Sequence, residues 1–573
     1  MKKKWLVKQL VGTVLPNLPE YPSLVVNLLA LRGMTEPEAI QNYLNPDYAK
    51  LFDPFLFKDM QKACDRIWQA LANKERITIY ADYDADAITA SSVMTLGLRK
   101  LGGIVECYIP DRFTEGYGMN LDAMRKVKDS GGGLVITVDC GTNSVAEAKL
   151  CRELGLDLII TDHHEITGEL PKAFALINPK NPEDNYPFKY LTGVGVAFKV
   201  MQAMFSDSVK AEAAGASPGW EKWLLDLVSI GTVADLQSLE SENRILVHYG
   251  LQVLSKTKWP GLRALLEVAK LKPGKFTTHT LGFVLAPRIN AAGRVKHADA
   301  AYKLLVSENI LEAQNYALEL DNLNVHRQML TEQILSEARE QVMLLSDKKV
   351  LLAAGANWPK GVVGLVAGKL AEEFGRPVLV MDKGEIYATG SARSHPQFDI
   401  VKALTYSKDL LEKYGGHTQA AGFTLSSGNI DMLYQKLLEF ADTLDNKNSD
   451  PVLEIDAEMK SQDLNWEVYE MLERFEPFGF GNPRPKFVGR NMTIIETRSV
   501  GVHNQHLKLR LLWDGKVVDA IAFRQGYLVT KLMPSSNIDA VFEMEANEWN
   551  GHKDLQIKII DINQTTDGTN NTF

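Results

Sequence analysis

The sequence predicts an α/β protein: two α/β lobes joined by a long helix around a cleft, followed by a small β-barrel. Three observations carry this. From Glu75 to about Gly261, short β-type runs alternate with helical segments, the pattern of a largely parallel sheet. Between Asn309 and Leu345 there is no Pro or Gly, and Leu320, Leu323, Arg327, Leu330 and Ile334 recur three or four apart, which is helical spacing. Beyond about Asp450 the chain becomes strand-rich, with turn signals at Trp513-Asp-Gly515 and Trp549-Asn-Gly551.

Each element follows in order. The 573 residues exceed what one core supports, roughly 250 to 300 residues, so the chain should divide. Residues 1–74 are expected to pack on the first lobe, residues 75–308. Residues 309–345 form the connecting helix, 346–445 the second lobe and 450–563 the barrel, and the polar stretch 564–573 is expected to be a disordered tail. Val350 to Ala354 and Pro377 to Met381 are the predicted strands of the second lobe.

Composition narrows the class. With 45% hydrophobic and 24% charged residues the chain resembles ordinary soluble protein. Lys8 interrupts the apolar stretch near the N-terminus, no cleavage-site pattern follows, and no apolar run reaches the ~18 to 20 residues of a bilayer span. Cys64, Cys107, Cys140 and Cys151 form no CxxC pair, so a cytoplasmic location without membrane partners is expected. The net charge of −9 argues against a surface that coats polyanions, so any nucleic acid must meet a local patch.

Three predicted strands deliver polar residues at their carboxyl ends. Arg76 to Tyr80 leads into Asp82-Tyr-Asp84-Ala-Asp86, Leu134 to Val138 into Asp139, and Leu158 to Thr161 into Asp162-His163-His164. The carboxyl edge of an open α/β sheet is where ligands bind. Asp235 follows the apolar stretch Val228 to Ala234. Taken singly, an acidic turn or a histidine pair is an ordinary surface feature. Together they make an oxygen-dominated set with imidazole and no thiolate, which suits Mn²⁺ or Mg²⁺ better than structural zinc. A shared carboxylate would permit two ions, and phosphoester hydrolysis is the chemistry such a pair supports.

Asp82-Tyr-Asp-Ala-Asp86, Val138-Asp-Cys-Gly141, Asp162-His-His164 and Gly231-Thr-Val-Ala-Asp235 resemble, in order and spacing, the four motifs of the DHH phosphoesterases. Within that superfamily the chain resembles the RecJ family, through Arg112-Phe-Thr-Glu-Gly-Tyr-Gly118, Leu191 to Phe198 and Leu285 to Arg294. The second lobe resembles a DHHA1 domain, through Trp358 to Gly364, Gly390-Ser-Ala-Arg-Ser394 and Gly415 to Phe423. Phe478-Gly-Phe-Gly-Asn-Pro483 resembles the entry to an OB-fold that binds nucleic acid.

The resemblance implies a single-stranded-DNA-specific 5′-to-3′ exonuclease of recombination and repair. It implies Asp84, Asp86, Asp139, His163 and Asp235 as metal ligands, with Asp82 and His164 beside them and Asp82, His164 and Asp139 in catalytic roles. It further implies that Arg112, Arg288, Ser391 and Arg393 hold a terminal 5′-phosphate, that Tyr117 stacks on a base, and that Asn290, Arg294 and His417 line the cleft. Single-stranded DNA, a single-strand-binding protein and a RecQ-type helicase are the implied partners. Two rivals are a DHH phosphodiesterase of short oligoribonucleotides or cyclic dinucleotides and a catalytically weak DNA-binding scaffold.

Two further expectations bear on the site. Ala87 stands where the family commonly has Gly, and a left-handed backbone there would be strained by roughly 1 kcal/mol. In the barrel, Arg484, Lys486, Arg490, Arg498, Lys508 and Arg510 surround a single acid, Glu496. Phe487, Trp513, Phe523 and Trp549 are its available aromatics, as a positive groove for single strands would require.

Overall fold

The computed structural model describes residues 3–10, 18–111, 114–116, 118–272, 274–295, 297–395, 397–444, 452–549 and 552–565. The chain divides into two compact units, residues 50–447 and residues 1–49 with 448–573.

In the larger unit the first lobe is built on five parallel strands in the order Ile104–Tyr108, Arg76–Ala81, Leu134–Val138, Asp157–Thr161, Ala175–Ile177. The three inner strands are almost wholly buried and rich in Ile, Val and Leu, as strands covered on both faces must be. The strand order reverses between Arg76–Ala81 and Leu134–Val138, the topological switch point at which such sheets open a crevice. Helix Ala85–Lys100 follows the first of these strands and is buried from Ala85 to Leu98. Its Thr89, Ser91 and Ser92 hydroxyls donate to carbonyls one turn back, which removes the cost of burying them.

Helix Ile310–Met343 leads to the second lobe, whose sheet runs Leu411–His417, Ala420–Ser426, Tyr387–Arg393, Val378–Lys383, Leu351–Gly355. Only the last pair is parallel. Helix Lys360–Phe374 covers one face and shares a core with Ile334, Leu335 and Ala338 of the long helix.

In the smaller unit, strands Phe487–Val500, His506–Trp513, Lys516–Ala522, Asn537–Trp549 and His552–Thr565 close into a barrel, because Phe487–Val500 pairs with both His506–Trp513 and Asn537–Trp549. The last strand takes in Gln564 and Thr565, the first two residues of the expected tail, and residues 566–573 lie outside the described residues.

Residues 1–49 correct the expected domain division, because they belong with the barrel. Strand Lys4–Val7 pairs in parallel with Val452–Ile455, and helices Ser23–Leu31 and Pro37–Leu44 place Val25, Leu28, Leu29 and Ile40 in the core that holds Phe475, Phe487 and Phe542. The physical reason is an apolar face without a partner in its own segment and a polar lock, Asn482. That buried side chain accepts from Tyr43 Oη at 2.8 Å and donates to the carbonyls of Phe475 and Pro477. Asn482→Ala is expected to destabilise the protein by roughly 2 to 4 kcal/mol, since two carbonyls and a phenol lose buried partners. An unchanged midpoint in urea denaturation would contradict the lock.

Candidate metal centre

Four strand or helix ends meet at the switch point. Asp84 caps helix Ala85–Lys100, accepting from Ala87 N at 3.0 Å. Ala87 lies in the first turn of that helix and is not among the positive-φ residues, so the expected strain is absent. Asp86 points at the start of helix Gly193–Ser206, where its oxygens accept from Gly193 N at 2.6 Å and Val194 N at 3.0 Å. A helix N-terminus presents free N–H groups and a partial positive charge, so it fixes a carboxylate firmly. Asp139 follows strand Leu134–Val138 with φ +59°, a conformation that costs a non-glycine residue about 1 to 3 kcal/mol and concentrates at functional sites.

His163 sits among these acids. Its Nε2 lies 3.0 Å from Asp139 Oδ1, 3.7 Å from Asp235 Oδ2 and 3.9 Å from Asp86 Oδ2. Donor atoms of Asp139, His163 and His164 form one group within 4.8 Å of each other, and those of Asp86, His163 and Asp235 form a second. Asp162 is a positioning residue: it accepts from Thr142 N, His163 N and His164 N, and its Oδ1 lies 2.7 Å from His164 Nδ1. Asn178 braces the same turn, donating to His164 O and Thr142 Oγ1.

The protonation states follow from burial and neighbours. Burial pushes Asp86 and Asp139 well above the usual carboxylate range, and repulsion among Asp84, Asp86 and Asp235 adds to it. Burial, then Asp84, raises Asp235 to about 6. Burial and the charge of His164 lower His163 to about 3, so its imidazole is neutral and fit to ligate. For His164 burial works downward, but the hydrogen bond and charge of Asp162 outweigh it and raise the group to about 9. Asp162 is depressed despite burial, because both histidines favour its anion.

A divalent cation fits these residues. Asp139 Oδ1 is buried without a hydrogen-bond partner, and several crowded carboxylates beside a neutral imidazole lack only a positive charge. The donors are hard oxygens and nitrogen, the set that Mn²⁺ and Mg²⁺ favour.

The other site candidates distribute unevenly. Asp82 is buried at the end of strand Arg76–Ala81 but belongs to neither donor group. Asn290 Oδ1 accepts from Ala85 N at 2.9 Å, so Asn290 positions the acidic turn. Arg288 is held by Asp321 Oδ1 at 2.9 Å and Val284 O at 2.7 Å, and Arg294 donates to Gly361 O at 3.1 Å. Ser391 and Arg393 share one strand face, with Arg393 Nη1 donating to Ser391 Oγ at 2.7 Å. His417 ends the exposed edge strand. Arg112 and Tyr117 lie outside the described residues.

In the barrel, Phe487 and Trp513 are core residues, Phe523 is exposed, and the exposed Tyr527 was not anticipated. The side chain of Trp549 lies outside the described residues. The expected basic face is partly neutralised by acids outside the basic run: Arg484 pairs with Glu473 and Glu476, and Arg490 with Asp539. Sequence reading also missed the Gly193 and Val194 amides, Thr142, Asn178 and Gln237, which donates to Asp235 Oδ2 at 3.2 Å. No local signal in the sequence marks them as neighbours of the site.

A parallel sheet whose switch point gathers aspartates and histidine in this way defines a metal-dependent phosphoesterase of the DHH class. Models of the DHH family N-terminal domain, the DHHA1 domain and the RecJ OB domain match residues 76–232, 347–445 and 455–561. The single-stranded-DNA-specific exonuclease RecJ of Bacillus subtilis is 41% identical, over 94% of this chain and 67% of its own length. The RecJ proteins of Dickeya dadantii and Escherichia coli are 34% and 32% identical, with 96% and 97% of their lengths covered. The crystal structure of RecJ with Mn²⁺ from Thermus thermophilus is similar, with a TM-score of 0.82, 29% identity and coverage of 98% of this chain and 80% of that one. The chain belongs to the RecJ family of single-stranded-DNA-specific exonucleases.

Two outcomes follow from the geometry. A carboxyl whose folded pKa is raised stabilises the fold only while protonated, so this contribution is present below about pH 4 and lost as pH rises through about 6 for Asp235. In chelator the melting temperature is therefore expected to fall across that window. Mn²⁺ at pH 7.5 should restore it, and Asp235→Asn should flatten the decline; a pH-independent melt unaffected by metal would refute this. Gly231 lies against Asp86, with a built Cβ 2.8 Å from Asp86 Oδ1 and 2.2 Å from Thr89 Oγ1. Gly231→Ala should displace the carboxylate and weaken Mn²⁺ binding roughly tenfold in calorimetry. Unaltered affinity would show that Asp86 tolerates the methyl group.

Proposed function

We propose that the chain degrades single-stranded DNA from its 5′ end, releasing mononucleotides by phosphodiester hydrolysis with two divalent ions. The observation that carries this is the convergence of Asp86, Asp139, His163, His164 and Asp235 at one sheet edge in a chain that belongs to the RecJ family. Asp84, Asp86, Asp139, Asp235 and His163 would hold the ions. When bound, such ions acidify water and stabilise the attacking and leaving oxygens of an in-line displacement.

The chain's own residues do the rest. Asp162 accepts a hydrogen bond from Nδ1 of the protonated His164, and that imidazolium would stabilise charge on a departing oxygen. Asp82 belongs to the same acidic turn as Asp84. Arg112, Arg288, Ser391 and Arg393 would anchor the terminal phosphate, since a guanidinium keeps donors beyond those engaged by Asp321 or Ser391. Asn290 acts through Ala85, and Arg294, His417 and Tyr117 would contact the strand. The described residues include no helix long and apolar enough to cross a membrane. A strand opened from duplex needs unwinding and coating, so a RecQ-type helicase and a single-strand-binding protein are the proposed partners.

The test is degradation of a 5′-phosphorylated, 3′-labelled oligonucleotide in Mn²⁺, beside a duplex, an RNA strand and Asp139→Ala. Mononucleotides released from single-stranded DNA alone, and at least 1000-fold slower in the variant, are the expected result, on the order of the loss seen when a transition-state contact is removed. DNA binding without cleavage in either metal would replace this reading with a scaffold. Cleavage confined to short RNA would replace it with a small-substrate phosphodiesterase.

A further inference from the structure

The carboxylates of the metal centre are braced unevenly, and Asp235 is the worst placed of them. Asp86 accepts from the Gly193 and Val194 amides and Asp84 from the Ala87 amide. Asp139 is pressed by Gly193, where a built Cβ falls 2.5 Å from Asp139 Cβ and 2.6 Å from its Oδ1. Asp235 instead closes helix Leu225–Ala234 at its carboxyl end. That end carries unsatisfied carbonyls and a partial negative charge, which disfavour a carboxylate. The charges of Asp84 and Asp86 repel it as well. Its side chain is 25% exposed, against 1% for Asp86 and 5% for Asp139, so water offers it an alternative to the cluster.

What holds this carboxylate is a side chain two residues further on. Leu236 adopts φ +58°, a left-handed conformation that costs a non-glycine residue about 1 to 3 kcal/mol. Its side chain is 71% exposed, so burial of that side chain does not offset the strain. The turn brings Gln237 back onto its neighbour: Gln237 Nε2 donates to Asp235 Oδ2 at 3.2 Å, and the same Oδ2 lies 3.7 Å from His163 Nε2. Among the described residues no other group hydrogen-bonds the Asp235 carboxylate. The chain beyond the turn is pinned by Asn243, a fully buried side chain that donates to Ser238 O at 3.0 Å and Tyr190 O at 2.6 Å.

A donor suits this place only if it is neutral. Lysine or arginine would hold the carboxylate but repel a divalent cation drawn to the same oxygen, whereas an amide donates without a net charge. One hydrogen bond occupies one of about four lone-pair positions on a carboxylate and leaves the others for a cation. We infer that Gln237 is a positioning residue of the metal centre, holding Asp235 Oδ2 toward His163 so that the carboxylate is oriented before a cation arrives. This rests on the proposed function, which makes Asp235 a ligand. Partners that orient a ligand in this way change metal affinity by about 10- to 100-fold.

The experiment titrates Mn²⁺ into the full chain by calorimetry at pH 7.5, and records melting temperatures in chelator. Gln237→Leu removes the donor while keeping most of the side chain's bulk. It is expected to weaken Mn²⁺ binding roughly tenfold and to leave the melting temperature in chelator unchanged. Gln237→Lys, which keeps a donor but adds a positive charge, should weaken binding as well. In an Asp235→Asn background Gln237→Leu should have no further effect, because the amide acts through the carboxylate. Full Mn²⁺ affinity in either Gln237 variant would overturn the assignment. So would the same tenfold loss in the Asp235→Asn background, or a loss accompanied by a lowered melting temperature in chelator, the pattern of a packing residue. If Asp235→Asn alone bound Mn²⁺ as tightly as the parent, Asp235 would not be a ligand, and the proposed ligand set would fall and take this assignment with it.

Discussion

The first lobe is organised about one unfavourable contact, the crowding of Asp86, Asp139 and Asp235 around the His163 imidazole, with the charge of Asp84 nearby. Two carboxylates 4 Å apart repel by about 4 kcal/mol at an effective dielectric constant near 20. Left to relax, they would turn outward. They are kept inward by groups that cannot rotate away: the amides of Gly193 and Val194 on Asp86, and the left-handed backbone at Asp139. The repulsion is thus stored in the fold, and cation binding releases it.

That storage requires the helices around the switch point to be immobile. Helix Gly193–Ser206 presents its N-terminus to Asp86, and its Lys199 is fully buried in a bond to Glu242 Oε1 at 2.6 Å. Lys199 also donates to Phe52 O and Gln202 Oε1, while Tyr186 Oη donates to the other Glu242 oxygen at 2.6 Å. A buried ion pair is a poor source of net stability, but one with every donor satisfied tolerates a single arrangement. It fixes the rotation of the helix whose first amides aim at the ligand. Helix Leu225–Ala234 is fixed differently, by approach so close at Gly231 that no side chain fits.

How far the sequence is legible depends on the range of the contacts. Strand ends and their acids are visible because alternation and apolar runs report burial locally, and the four motifs place Asp86, Asp139, His163 and Asp235 without a structure. The bracing is invisible, since a backbone amide at Gly193 carries no residue signature and reaches Asp86 across 107 positions. The same holds for the N-terminal helices, whose apolar faces are plain but whose partner lies more than 400 residues away. In the barrel the pattern misleads in a definite way. Phe487 and Trp513 look like a binding surface, yet closure of the sheet turns their positions inward, and basic residues that look unopposed in sequence meet acids from a neighbouring helix and another strand.

The proposed role of the arginines would explain how an acidic protein processes a polyanion. A phosphate approaching the metal centre without cations meets several negative charges, so the acidic cluster alone would exclude its own substrate. Arg288, Arg294 and Arg393 are each held by a nearby oxygen, from Asp321, Gly361 or Ser391, which orients the guanidinium. Orientation before binding lowers the entropy lost when a phosphate arrives. On the proposed function the site would be divided by charge: an acidic pole that needs cations to become attractive, and arginines that attract phosphate without them. In that reading a strand held by its phosphates at these arginines would meet an attractive acidic pole only when metal is bound there, and hydrolysis would depend on the ion without any moving part.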